Sequence, residues 1–314
     1  MSVAFIFPGQ GSQSVGMLAS LAGRPEVASL LRTADDVLGE PLSRLIADGP
    51  AEELALTTNT QPAMLLAGLA CLSAWRSAGG GEPSYVAGHS LGEYTALAAA
   101  NALDADVALR LVRLRARAMQ EAVPIGVGAM AAILGLTDEQ VAQACAQARQ
   151  APDGRQEVVD PANFNAPAQV VIAGHQGAVD RACVAAKALG AKRAVQLPVS
   201  APFHSPLLAP AGEQLRRALA DVDLRVPRVP LVNNVDVAEE ADPARIKDAL
   251  VRQAYGPVRW VELVRWLSAR GVGRFVEFGP GKVLSGLVKR IAPDARIDAV
   301  HDAASLEQTL ESFR

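Results

Sequence analysis

The sequence predicts an α/β protein in which a parallel sheet, covered by helices on both faces, is interrupted by a small βαββαβ unit. Three observations carry this prediction. Half of the 314 residues are apolar, enough at this length to bury a large core. Short β-branched or aromatic runs alternate with long Ala/Leu-rich amphipathic stretches, and strands separated by helices pair in parallel. Near residues 126–199 the alternation changes to strand, helix, strand, strand, helix, strand, the order of a split ferredoxin-like unit.

Strands are expected at residues 3–7, 85–87, 230–232, 275–278 and 297–300. Helices are expected at 61–78, 91–100, 104–122, 206–220, 243–254, 258–269 and 282–291. Pro62 follows Thr60-Gln61 and suits a first helical turn. In the middle, 129–136 reads as a strand, and Thr137-Asp138-Glu139-Gln140 is a capping-box signature for a helix ending near Ala148. Strand-like runs at 157–164 and 169–174 flank the turn Asn165-Ala166-Pro167, and a helix at 178–189 and a strand at 193–197 complete the unit. The chain therefore divides into a large domain, 1–125 with 200–314, and an inserted subdomain, 126–199, with the cleft between them as the natural ligand site.

Composition removes several classes of function. A net charge of −3 from 30 basic and 33 acidic side chains leaves no basic excess for broad nucleic-acid binding. Cys71, Cys145 and Cys183 form no CxxC or Cys/His cluster, so neither a disulfide framework nor a structural zinc site is expected, and the thiols fit a reducing cytosol. The first residues lack the basic segment of a signal peptide. The longest apolar stretch, 64–75, is shorter than the roughly 18 residues a membrane span needs. The expectation is a soluble cytoplasmic protein with no membrane partner, nucleic-acid partner or bound metal.

Gly88-His89-Ser90-Leu91-Gly92 follows the strand at 85–87 and precedes a helix. GxSxG in that setting is a nucleophile elbow. The first glycine permits the tight turn, the second lets the helix pack close, and the serine hydroxyl sits at a helix N-terminus that favours a developing oxyanion. A glycine-rich turn with an N-capping serine is the alternative, and the strand–turn–helix context favours the elbow. A serine nucleophile needs a base. His89 lies inside the elbow and reads as a support, while His175 and His301 read as surface residues. His204, in Ala201-Pro202-Phe203-His204-Ser205-Pro206, lies where the chain re-enters the large domain, between two prolines that restrict its backbone. It is the candidate base. No acid stands out as a third member: Asp153 and Asp160 lie in the inserted unit, and a triad and a Ser–His dyad oriented by a backbone carbonyl both remain open.

Two glycine-rich segments are not nucleotide sites. Gly9, Gly11 and Gly16 have the wrong spacing for a dinucleotide fingerprint. Gly279-Pro280-Gly281-Lys282-Val283 lacks both the first glycine and the Ser/Thr of a phosphate loop, and reads as a helix start. Of Arg110, Arg113, Arg115 and Arg117, the pair Arg113/Arg117 shares a solvated face. Arg115 falls on the apolar face about 160° away, with Leu111, Val112 and Met119. A guanidinium there needs a buried anion, either a structural carboxylate or a substrate carboxylate.

Taken together, Phe-Pro-Gly-Gln-Gly-Ser-Gln at 7–13, Thr-Gln-Pro-Ala at 60–63, Gly-His-Ser-Leu-Gly-Glu at 88–93, Arg115, Phe-His-Ser at 203–205 and Gly-Pro-Gly-Lys-Val-Leu at 279–284 resemble the malonyl-CoA:acyl carrier protein transacylases. The resemblance runs over essentially the whole chain, and Asn163-Phe164-Asn165 and Asn233-Asn234-Val235-Asp236 share it. It implies a large hydrolase-like α/β domain with a ferredoxin-like insertion. It implies Ser90 as nucleophile, His204 as base, the N–H groups of Gln10 and Leu91 as oxyanion hole, and Arg115 as clamp for the malonyl carboxylate. Gln61 and Phe203 would contact substrate, and the carbonyl of Gln253 would orient His204, which accounts for the missing acid. Malonyl-CoA and an acyl carrier protein are the implied partners, with no cofactor. Leu91 after the serine and Phe203 before the histidine match the pattern that accompanies malonyl selection in related polyketide acyltransferases. The carrier is acidic in such systems, so Lys187, Lys192, Arg193, Lys289 and Arg290 are candidates for a basic rim. A serine hydrolase with a full triad, a malonyl-loading subunit of malonate decarboxylase, a trans-acting polyketide acyltransferase and a scaffold that kept the fold are the competing readings.

Overall fold

The computed structural model describes residues 2–313. In chain order β1 (Ser2–Phe7) leads into α1 (Pro25–Leu38), α2 (Leu42–Asp48), α3 (Ala51–Leu54) and α4 (Thr57–Ser77). Then come β2 (Tyr85–Gly88), α5 (Gly92–Ala99) and α6 (Ala105–Glu121). The middle holds β3 (Gly128–Leu134), α7 (Asp138–Ala148), β4 (Val159–Ala166), β5 (Gln169–His175), α8 (Gln176–Ala188) and β6 (Arg193–Gln196). The last part holds α9 (Ala209–Ala220), β7 (Leu231–Val232), α10 (Pro243–Tyr255), α11 (Trp260–Ala269), β8 (Val272–Phe278), α12 (Val283–Ile291), β9 (Arg296–Val300) and α13 (Ala303–Glu311).

The larger sheet has the order β7-β2-β1-β8-β9, with every pairing parallel. Successive side chains of a strand point to opposite faces. In β1, Phe5 and Phe7 enter a core with α4 and α5, whereas Ala4 and Ile6 enter a second core with Trp260, Leu263 and Leu284. That double burial is why residues 3–7 read as a continuous apolar run rather than an alternating one. The smaller sheet, β4-β5-β3-β6, is antiparallel throughout. One face packs on α7 and α8 through Ile133, Val170 and Ile172. The other, carrying Met130 and Val171, packs with Met119 and Phe203.

Local signals place most boundaries within a few residues. The capping box at Thr137 and Gln140 is formed. α4 begins at Thr57 rather than at 61, because the Leu56 carbonyl already accepts from Asn59 N and Thr60 N, 2.8 Å each. Pro62 therefore lies beyond the first turn. The segment expected as one helix from 206 opens as a 3-10 turn, Pro206–Leu208. α1, α2 and α3 escaped the sequence reading, since none has a side-chain cap at its start. α13 carried a readable signal, a capping box of Asp302 with Ser305. The three cysteines are unbridged.

Candidate active site

The site lies at the carboxyl ends of β1 and β2, where open parallel sheets characteristically bind ligands. It opens into a cleft of about 730 Å³ whose walls include Met130 and Val171 of the small sheet. The turn after β2 is held by steric necessity. A Cβ on Gly88 would lie 1.9 Å from the Gly92 main chain, and one on Gly92 would lie 2.1 Å from Phe7 O. Ser90 adopts φ +55 and His204 φ +62, both in the left-handed region. Such backbone costs about 1–3 kcal/mol and persists only where neighbours over-determine it. Here Ser90 N donates to Asn234 Oδ1 at 2.8 Å, Gln253 Nε2 donates to Ser90 O at 2.9 Å, and Asn234 Nδ2 donates to Gly88 O at 2.6 Å.

Ser90 Oγ and His204 Nε2 are 2.7 Å apart. His204 Nδ1 lies 2.9 Å from Gln253 O and 3.2 Å from Gly256 O. Carbonyls only accept, so Nδ1 carries the proton and Nε2 is free to accept the serine proton. Burial, helped by the Arg115 charge, pushes the His204 imidazole down to about 3, so it is neutral near neutral pH and Nε2 is unprotonated. Asp153 and Asp160 are engaged elsewhere, by Arg155 and Arg149. His89 Nε2 meets Asn165 Oδ1 at 2.8 Å and its ring packs edge-on against Trp260, while burial lowers its pKa. It lines the cleft and ties the elbow to Asn165 of β4. His175 and His301 are half-buried rather than surface residues, and His175 Nδ1 accepts from Val158 N.

Arg115 is 1 % exposed. Its Nη1 donates to Gln61 Oε1 at 2.6 Å, and its Nη2 to Gln253 Oε1 at 2.9 Å and Ser90 Oγ at 3.1 Å. Among the described residues no carboxylate lies within ion-pair distance of it, and its Nε is buried without an acceptor. Arg113 departs from the sequence reading. It is buried, not solvated, because its guanidinium reaches across to Glu40 at 2.7 Å and Asn59 at 3.0 Å. Gln10, Gln61, Leu91 and Phe203 all line the cleft, whereas Gln253 is fully buried behind His204. Among the described residues, the N–H groups of Gln10 and Leu91 have no acceptor within the chain.

Sequence reasoning assigned no role to Glu93 or Asn234. Glu93 Oε2 accepts from Gln253 Nε2 at 2.9 Å and Asn234 N at 3.0 Å, which braces the two residues that grip Ser90. Burial raises the Glu93 carboxyl from 4.5 to about 7, opposed by the hydrogen bonds and by Arg115. A folded-state value above the unfolded one adds stability that is complete below 4.5 and is lost as pH rises through about 7. The loss is about 3 kcal/mol. Glu93→Gln keeps an acceptor and removes the titration. Urea midpoints at pH 5 and pH 8 should therefore differ less in Glu93→Gln than in the wild type; equal differences would assign the titration to another group.

The chain is similar to known proteins. The acyl transferase domain model matches residues 4–305, and the chain belongs to that family. Its relatives include the malonyl CoA-acyl carrier protein transacylases of Escherichia coli (strain K12), 50% identical over 309 residues and 98% of each chain, and of Bacillus subtilis (strain 168), 44% identical over 313 residues, 99% of this chain and 97% of the other. Among solved structures, the acyl-carrier-protein S-malonyltransferase of Burkholderia pseudomallei 1710b is 58% identical with TM-score 0.96, covering 99% of this chain and 100% of that one. A malonyl-transacylase in complex with its type II PKS acyl-carrier protein is 49% identical with TM-score 0.96, covering 99% and 100%.

Proposed function

We propose that this protein transfers the malonyl group from malonyl-CoA to the pantetheine thiol of an acyl carrier protein through a malonyl-Ser90 ester, supplying fatty-acid synthesis. The observation that carries the reading is the Ser90 Oγ–His204 Nε2 contact of 2.7 Å beside a buried arginine that has no carboxylate within ion-pair distance among the described residues. Ser90 Oγ attacks the thioester carbonyl as His204 Nε2 takes its proton. The oxyanion is received by the N–H groups of Gln10 and Leu91, the arrangement that stabilises acyl-transfer intermediates. Arg115 holds the free carboxylate by a charge-assisted fork, with Gln61 and Phe203 against the acyl group. Collapse breaks the C–S bond, and His204 returns its proton to the leaving sulfur. The carrier thiol then gives its proton to His204 and attacks the ester, the acyl C–Oγ bond breaks, and His204 returns the proton to Ser90 Oγ, a ping-pong cycle that needs no cofactor.

The same reading takes residues 126–199 as a ferredoxin-like subdomain inserted in a hydrolase-like domain of residues 1–125 and 200–314. The antiparallel order β4-β5-β3-β6 supports the first assignment, and the parallel sheet with its strained elbow supports the second. Among the described residues no helix is long and apolar enough to cross a membrane, and no cluster of three or more His, Cys, Asp or Glu could hold a metal ion. A cytoplasmic setting follows from the proposed substrates. Lys187, Lys192, Arg193, Lys289 and Arg290 are exposed and supply the basic rim for an acidic carrier.

Intact mass after brief mixing with malonyl-CoA tests the reading. A single malonyl adduct is expected, mapping to the peptide that contains Ser90, persisting in water and moving to added acyl carrier protein. An adduct that decays without a carrier would mean a hydrolase, and no adduct would overturn the reading. Transfer to a polyketide carrier alone would reassign the pathway and keep the chemistry.

A further inference from the structure

Thr57 is 4% exposed and opens α4, yet its hydroxyl takes no part in capping that helix, whose N-cap is Leu56. The hydroxyl is committed elsewhere, in a run of hydrogen bonds with one direction. Arg115 Nη1 donates to Gln61 Oε1 at 2.6 Å, Gln61 Nε2 donates to Thr57 Oγ1 at 3.1 Å, and Thr57 Oγ1 donates to Gln10 Oε1 at 2.9 Å. A hydroxyl has a single proton and Gln61 offers Thr57 a donor, so the Thr57 proton is left to bond Gln10. Gln10 itself is exposed, in a loop where the next residue, Gly11, adopts φ +121. The residue that would present an oxyanion donor is thus tied by its side chain to a buried helix start.

We propose that Thr57 is a positioning residue: its hydroxyl ties the Gln10 side chain to the buried start of α4, so that the Gln10 N–H stays where the thioester oxyanion develops, whichever acyl group is bound. The inference rests on the reading of Gln10 N–H as an oxyanion donor. Removing a donor outright costs about two to three powers of ten in rate. Loosening one costs less, on the order of ten- to a hundredfold.

Single-turnover loading of the whole protein with malonyl-CoA and with acetyl-CoA is the test. Thr57→Val keeps the shape and removes the hydroxyl. It should slow malonyl and acetyl loading by the same ten- to hundredfold factor, on the order set by that donor's loss, with little change in half-saturating malonyl-CoA. Thr57→Ser should restore the rate. Gln10→Ala should show a comparable loss, and Thr57→Val/Gln10→Ala should be no slower than Gln10→Ala alone, because both remove one tether. If Thr57→Val fails to fold, Gln10→Ala, at an exposed residue, reads the same tether from its other end: an equal loss for both acyl groups supports the proposal, and no loss overturns it. Wild-type loading by Thr57→Val, multiplying losses in the double variant, or a loss confined to malonyl would each overturn it. Those outcomes leave the transacylase reading standing; a wild-type protein that forms no malonyl-Ser90 would overturn both.

Discussion

Ser90→Ala will form no malonyl adduct, and His204→Ala will form it roughly two to four powers of ten more slowly than wild type, the usual range for a positioned general base. The reason is geometric. The serine hydroxyl has one strong acceptor within reach, His204 Nε2 at 2.7 Å, and the imidazole is fixed in the accepting tautomer by two carbonyls on Nδ1. The pH profile carries the same information. The base works when neutral, and its pKa is about 3, so kcat/KM for loading should be flat from pH 8 to about 5 and fall only as pH approaches that value. Stopped-flow loading of wild type and His204→Ala would settle both points. A rate that halves near pH 6.5, the unperturbed value, in Glu93→Gln as well as in the wild type, where Glu93 itself titrates near 7, would show that burial does not control this histidine.

Arg115→Ala will lower malonyl transfer by roughly two to three powers of ten and raise acetyl transfer relative to malonyl. A buried guanidinium held by two amide oxygens and a hydroxyl has, among the described residues, no carboxylate within ion-pair distance, Glu93 acting on it only through Gln253, and an anionic acyl group supplies a direct partner. Breaking a buried ion pair costs about 3–5 kcal/mol, and about 1.4 kcal/mol is one power of ten in rate. Arg115→Lys should recover only part of the loss, because an ammonium cannot make the planar two-pronged contact. Rates with malonyl-CoA and acetyl-CoA decide the matter: equal losses for both would place Arg115 in support of Ser90 rather than on the carboxylate.

The parts of this molecule that local chemistry controls were legible in the sequence. The doubly buried strand β1, the capping box at Thr137 and the glycines around Ser90 are dictated by side-chain periodicity, cap chemistry and the space a Cβ would need. Those rules act over a few residues. The elbow at Ser90 and the fixed backbone at His204 were legible for a related reason, since a serine between glycines and a histidine between prolines announce restricted backbone.

Tertiary structure alone decided how those residues are held. Asn234 reaches the Ser90 amide across 144 positions, and Gln253 reaches the Ser90 carbonyl across 163. Glu93 braces both from within the elbow helix, where the sequence shows only an acidic first-turn residue. Arg113 is drawn into the interior by Glu40 and Asn59, against its helical face pattern. Thr57 lay outside the helix expected from residue 61, and its role shows only when Gln10 is folded onto it. Hydrogen bonds between distant segments leave no period in the chain, and a buried polar group declares its role only when its partner has been brought within bonding distance.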